Sequence, residues 1–206
     1  MRSSCIRHSG VPSTSEYPPY RPSKVLGSTA GFLKSFFTLQ SFRPIPHAAG
    51  SVAAAQMRVG VARGFPRDVE ILGQPVVLHG VTELPKPERF FAGGDTTVRG
   101  FALDRLGRPD TIDEDGLPIG GNAETVFNFE LRGPVRGGIQ GVGFVDTGNV
   151  FALASDVDLG LLRTAVGFGV RYKSPVGPIR FDVGFKIHPE PEERRSAWFI
   201  TFGQAF

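Results

Sequence analysis

The sequence predicts an all-β protein, an antiparallel meander of about seven strands with one face in lipid, and three observations predict it. Apolar residues alternate with small or charged ones in segment after segment. Glycine and proline are abundant, 27 and 17 of 206 residues, above the usual levels of about 7% and 5%, and such a chain favours short strands and turns over helices. Finally, the chain closes on AWFITFGQAF, which places Trp198, Ile200, Phe202 and Phe206 on one face of a strand and Phe199, Thr201, Gly203 and Ala205 on the other. A terminal strand is normally blunted or covered against edge pairing. This one ends on a bare aromatic residue, as expected where a sheet closes into a barrel and the apolar face meets lipid. The last strand of a soluble sandwich would show the same alternation.

Composition narrows the function classes. The longest uncharged stretch, Pro44 to Met57, holds two prolines and a histidine and falls short of the roughly 20 apolar residues of a spanning helix, so any membrane crossing must use strands. A net charge of +3 with scattered Lys and Arg gives no nucleic-acid footprint. The single cysteine, Cys5, rules out an internal disulfide framework. His8, His47, His79 and His188 lack ligand spacing, so no metal is expected. The opening residues 1–28 read as irregular; they carry the positive charge of a signal peptide without its apolar stretch. The expectation is therefore a truncated gene product or a misplaced start, with no signal peptide in the chain as written.

From residue 29 the elements follow in order. FLKSFFTLQSFR, about 33–43, reads as a first strand whose faces are not cleanly separated. In SVAAAQMRVGVARG, about 51–63, Ala53, Ala55, Met57, Val59 and Val61 oppose Gln56, Arg58 and Gly60, as a polar lumen requires. A connection over 65–120 follows, far longer than the few residues usual between strands, with room for a short strand in VEILGQPVVLHGV. Regular strands return at about 121–132, 139–151, 163–173, 178–188 and 196–206. Their apolar rows include Phe127, Phe129 and Leu131, then Val166, Phe168, Val170 and Tyr172, then Ile179, Phe181, Val183 and Phe185. The opposite rows mix glycine with Glu124, Asn128, Glu130, Arg132, Arg171, Arg180, Asp182 and Lys186. Small residues with paired charges make a poor dry core and a plausible wet lumen. One strand breaks the rule: in IQGVGFVDTGNVF, Asp146 shares its face with Val142 and Phe144. A lumen plugged by something that needs both an apolar surface and an anion accounts for this.

The long connection carries the most distinctive motif, PKPERFFAGGDTTVRGF. As a phosphate cradle AGGDTTVRG lacks a GK[ST] ending and a following helix. The inward carboxylates are interleaved with cations, which reads as a paired wall and not as an isolated acid and base; no enzyme and no cofactor are expected. Together with GGNAETVFNFELR, GFVDTG, GFGVRY, SPVGPIRFDVGF and the terminal GQAF, the motif resembles the C-terminal barrel of the BamA/TamA outer-membrane assembly family, or bacterial surface antigens. The order matches from about Phe32 to Phe206, and GFGVRYKSPVGPIRFD is more similar to the TamA-like branch.

The resemblance implies that 29–206 is the C-terminal part of a transmembrane β-barrel of about 16 strands, with 65–120 folded back into its lumen. Val98, Arg99, Gly100 and Phe101 stand for the family's VRGF signature. It implies a partner for Arg99 in the F-x-D-x-G strand motif, here Phe144, Asp146 and Gly148, with Asp182 as a second candidate. The residues agree with this on physical grounds: Arg99 suits a charge-assisted pair in low dielectric, and Gly93, Gly94 and Gly100 permit a tight backbone path beside Asp95. In a wet lumen such a loop is expected to hold its place without a hydrophobic core. The implied function is an outer-membrane protein assembly or translocation factor that inserts or exports client β-proteins, integral to the bacterial outer membrane. Its partners would be the lipid bilayer, client outer-membrane or secreted proteins, and periplasmic or inner-membrane partners reached through a missing N-terminal region. The strand bearing Trp198, Ile200, Phe202 and Phe206 would be its targeting signal and one side of a lateral gate. A different class fits the same barrel: the membrane anchor of a fused patatin-like phospholipase, betrayed by a G-x-S-x-G motif upstream. A soluble two-sheet β-protein is the plainest alternative.

Overall fold

The computed structural model describes residues 31–48, 50–65, 67–71, 74–78, 84–175, 177–191 and 193–203. Residues 1–28, with Cys5 and His8, lie outside it, as do His79 and the terminal Phe206. Nine strands form among the described residues: β1 Phe32–Pro44, β2 Val52–Gly64, β3 Arg67–Ile71, β4 Gln74–Leu78, β5 Ala123–Arg136, β6 Ile139–Phe151, β7 Arg163–Ser174, β8 Gly177–Lys186 and β9 Ser196–Phe202. Seven of them build one antiparallel sheet in the order β1-β2-β5-β6-β7-β8-β9, and β3 pairs with β4 as a separate hairpin within the long connection. The single short strand expected there is thus two. Among the described residues no helix is long and apolar enough to cross a membrane, whereas β1, β2 and β5 to β8, at 10 to 14 residues, match the 9–11 or so that a tilted crossing strand needs.

Strands that follow one another in the sheet are joined by connections that alternate between short and long. Three are short, at 45–51, at Gly137 and Gly138, and at 175–176; both of these glycines have positive φ, 58° and 81°, which suits a tight hairpin. The other three, 65–122, 152–162 and 187–195, are long and lie together at the opposite end of the sheet. Short turns at one end and long loops at the other are the habit of transmembrane barrels.

The two faces separate as period-two patterning dictates. Phe129, Leu131, Val145, Val166, Phe168, Val170, Tyr172, Phe181, Phe185, Trp198, Ile200 and Phe202 are all exposed on one side. A continuous band of this extent far exceeds the few hundred Å² of apolar patch that a soluble monomer tolerates. The opposite face packs on the long connection, whose residues 88–101 touch every strand of the sheet. This explains the mixed faces of β1: Phe36, inward, stacks on Phe90 with ring centroids 6.2 Å apart, and Phe42, inward, lies under the Arg132 guanidinium.

The dry region differs from the sequence expectation of a wet lumen. Ala92, Val98, Phe101 and Leu106 of the connection form a buried cluster with Val126, Val150 and Ala165 of the wall. A second, smaller cluster joins Leu84 and Phe90 to Ala62. The connection therefore does bring a hydrophobic core with it. The reason is that Val98 and Phe101 flank Arg99, and the wall presents apolar residues at the level where they land.

Candidate functional site

The site is built where the tip of the connection meets the inner face of β5 and β6. Its turn is set by backbone hydrogen bonds from Gly94 N to the Phe101 carbonyl (3.0 Å) and from Leu106 N to the Ala92 carbonyl (2.9 Å). Thr97 Oγ1 closes it by accepting from Gly93 N at 2.7 Å. Gly93, Gly94 and Gly100 have φ of 109°, 99° and 118°; at Gly93 and Gly100 a Cβ would also strike its surroundings, so only glycine fits there.

This turn drives Arg99 into the sheet, where it is 1% exposed. Its Nε and Nη2 donate to Asp146 Oδ2 and Oδ1 at 2.7 and 2.9 Å, and its backbone N–H donates to Asp146 Oδ2 at 3.0 Å. Its Nη1 donates to Glu130 Oε2 at 2.7 Å. The guanidinium plane lies over the Phe144 ring, with Cζ 3.6 Å from the centroid. A planar fork, a carboxylate and an aromatic face together use the properties that distinguish arginine from lysine. Register produces the pocket: Asn128 stands opposite Asp146 and Glu130 opposite Phe144 on β5 and β6, so four inward side chains form one patch. Asn128 Nδ2 orients Asp146 by donating to Oδ1 at 2.8 Å and fixes the turn by donating to the Thr97 carbonyl at 2.5 Å.

Asp182, the second candidate partner, lies 3.8 Å from Arg99 Nη1 and makes no hydrogen bond to it; it accepts from Arg171 Nη1 at 2.5 Å instead. Glu130 takes the hydrogen bond while Asp182 remains at ion-pair distance, because β5 is the direct neighbour of β6 and Asp182 stands two strands away on β8. Sequence patterning puts Glu130 on the inward face but does not single it out from the other inward carboxylates as a partner of Arg99. Gly148 fits closely against β5, since a Cβ there would meet the Thr125 carbonyl oxygen at 2.7 Å. Val98 and Phe101 are buried beside Arg99. Asp95 contacts Arg180 and Thr201, while Trp198, Ile200 and Phe202 sit on the outer face of β9, and Phe206 lies outside the described residues.

Phe101 anchors the distal side of the turn. Its ring is approached by Arg163 at 4.7 Å and Lys186 at 4.5 Å. Both cations pair with Glu193 in the 187–195 connection, Lys186 at 3.2 Å. Burial pushes the Glu193 carboxyl up, and the hydrogen bonds and charge of Arg163, the Glu190 backbone and Lys186 outweigh this and hold it below the usual carboxylate range. Beyond Phe101 opens a cleft of about 900 Å³, where Arg105, Arg108 and Arg194 alternate with Asp113, Glu114 and Glu190 and form no surface of one sign. Among the described residues no His, Cys, Asp and Glu cluster has the makings of a metal site.

The wall makes room for this turn with glycine. A Cβ on Gly184 would stand 2.6 Å from the Arg99 carbonyl carbon and oxygen and from Gly100 N. These are backbone atoms that cannot swing away, so Gly184→Ala is expected to disfavour the docked turn by about 1–3 kcal/mol while leaving β8 itself unstrained. Limited proteolysis of the 84–122 region in the membrane-inserted protein checks this, and cleavage at the wild-type rate would contradict it.

Comparison with known proteins agrees with the geometry. Residues 20–206 match the Omp85 superfamily domain. The chain is 28% identical over 139 residues to the outer membrane protein assembly factor BamA of Nitratidesulfovibrio vulgaris, covering 65% of this chain and 17% of that protein. It is 33% identical over 115 residues to the chloroplastic outer envelope protein 80 of Arabidopsis thaliana, covering 52% of this chain and 14% of the relative. The BamA of Neisseria meningitidis is 27% identical over 179 residues, 72% of this chain and 21% of the relative. The chain thus spans a fifth or less of the length of most of these relatives. In fold it is similar to the crystal structure of BamA from Haemophilus ducreyi lacking POTRA domains 1-3, with a TM-score of 0.63 at 21% identity over 86% of this chain and 36% of that one. A seven-stranded meander whose long connection returns to its inner face, matched over nearly its whole length, places this chain in the Omp85 superfamily.

Proposed function

We propose that this chain is the C-terminal barrel segment of an outer-membrane protein assembly or translocation factor, integral to the outer membrane, that inserts or exports client β-proteins. The observation that carries the reading is the coexistence of a plug and an edge. The connection is held against the wall by Arg99, Asp146 and Glu130, while the two outermost strands of the sheet, β1 and β9, each pair on one side only among the described residues. An unpaired strand edge with one lipid-facing apolar row is the template that another strand needs for β-augmentation. The names of the relatives, two of them outer membrane protein assembly factors, support the same role. In this reading the Arg99 cluster is a loop-to-barrel lock, β9 is one side of a lateral gate, and the end carrying 65–122, 152–162 and 187–195 faces the cell exterior. Periplasmic or inner-membrane partners would engage other parts of the protein, and no catalytic step is assigned to this chain.

Crosslinking tests the gate. Single cysteines placed along Ser196–Phe202 in the intact protein are expected to give adducts with client strands during assembly. A β9 that yields no client adduct at any position would overturn the assignment.

A further inference from the structure

The inner wall is electrically balanced before the connection docks. At the level of Arg99 it presents Arg132, Arg171 and Arg180 against Glu130, Asp146 and Asp182. The turn adds one charge of each sign, Arg99 and Asp95, and both join a continuous chain of contacts along the wall. That chain runs from Arg132 to Glu130 (2.6 Å), Glu130 to Arg171 (3.4 Å), Arg171 to Asp182 (2.5 Å), Asp182 to Arg180 (3.9 Å) and Arg180 to Asp95 (3.0 Å). Arg99 joins it at Glu130, 2.7 Å away.

Asp95, which closes this chain at Arg180, differs from Arg99 in what it holds. Arg180 and Thr201 face each other directly across β8 and β9, and Asp95 Oδ2 accepts from both, from Arg180 Nη2 at 3.0 Å and Thr201 Oγ1 at 2.9 Å. One carboxylate oxygen therefore straddles the last strand pair of the sheet from inside. Arg180 is fully buried and stands opposite another cation, Arg171, an arrangement that is unfavourable alone. Among the described residues its side-chain hydrogen bonds all go to Asp95, to the carboxylate and to the carbonyl at 3.2 Å, and its Nε and Nη1 have none. A buried guanidinium in the wall thus relies on the inserted turn for its hydrogen bonds. Within the seven-stranded sheet β9 is also the shortest strand, 7 residues, and among the described residues it is bonded on one side only.

From this geometry we propose that Asp95 is a positioning residue that staples β9 to β8 through Arg180 and Thr201, so that docking of the turn and retention of the terminal strand are coupled. Undocking removes the staple, and by reciprocity separation of β9 weakens docking. The meaning of this coupling for client entry rests on the gate reading above; the coupling itself does not.

Hydrogen exchange of the full chain in lipid measures the staple directly. In Asp95→Ala and in Thr201→Val, amides of Ser196–Phe202 are expected to exchange about tenfold faster, the equivalent of one lost charge-assisted hydrogen bond, while Ala123–Phe151 keep their rate. The double variant should be no faster than the faster single one, because both changes break the same contact. Asp95→Asn, which keeps an acceptor for Thr201 and drops the charge facing Arg180, should fall between. Unchanged exchange in both single variants, additive effects, or a rise spread evenly over the sheet would each overturn the staple. In a Cys5→Ser background, a disulfide formed after Asp95→Cys and Thr201→Cys should slow β9 exchange below wild type and reduce client crosslinking from β9. Undiminished client adducts from the locked strand would count against the gate alone, the staple being decided by the single variants.

Discussion

Arg99→Ala is expected to release the inserted turn. Asp146 and Glu130 are both fully buried; without the guanidinium Glu130 keeps Arg132 and Arg171, but Asp146 is left as a buried carboxylate with no cation beside it. Breaking a buried pair in this way costs about 3–5 kcal/mol, whereas an exposed pair would cost under about 1 kcal/mol. The Arg99 backbone N–H would still reach Asp146, but a single backbone donor cannot replace three side-chain ones. Arg99→Lys should fail in part, because an ammonium cannot span Asp146 Oδ1, Asp146 Oδ2 and Glu130 Oε2 together. The mutant barrel should still insert, since β9 is untouched. The 84–122 region should become protease-sensitive and assembly activity should fall. A wild-type cleavage pattern with full activity would refute the lock.

Phe101→Ala is expected to have an effect of similar size by a different route. The ring is 1% exposed and packs with Ala92, Val98, Leu106, Val126, Val150 and Ala165. Truncating a buried phenylalanine costs about 3–5 kcal/mol, and here the cations of Arg163 and Lys186 also lose the ring face they share. Phe101→Leu keeps much of the volume and should lose mainly the cation–π part, about 0.5–2 kcal/mol. Because Arg99 and Phe101 are held by one turn, whose Phe101 N–H bonds the Val98 carbonyl, the double Arg99→Ala, Phe101→Ala variant should lose less than the sum of the two. Thermal release of the turn, followed by proteolysis against temperature, measures all three. Strict additivity would mean that the polar and apolar anchors act independently.

The sequence by itself determined the strands and their faces. Alternation of period two is a local property, so every sheet strand and, β1 excepted, its outward row could be read from it, Trp198, Ile200 and Phe202 included. The misplaced Asp146, beside Val142 and Phe144, even announced that something apolar and cationic must fill the lumen. Four features were decided only by the tertiary structure. Glu130 takes the hydrogen bond of Arg99 Nη1 while Asp182 stands at ion-pair distance; the inserted turn carries a dry core; the charged wall is buried beneath it; and Asp95 meets Thr201 across more than a hundred residues of chain. Patterning states which face a side chain takes. It does not state which residue stands opposite it or what lands on it, because cross-strand register and the docking of a long connection arise from contacts distant in sequence, where geometry chooses among several carboxylates that the pattern leaves equivalent.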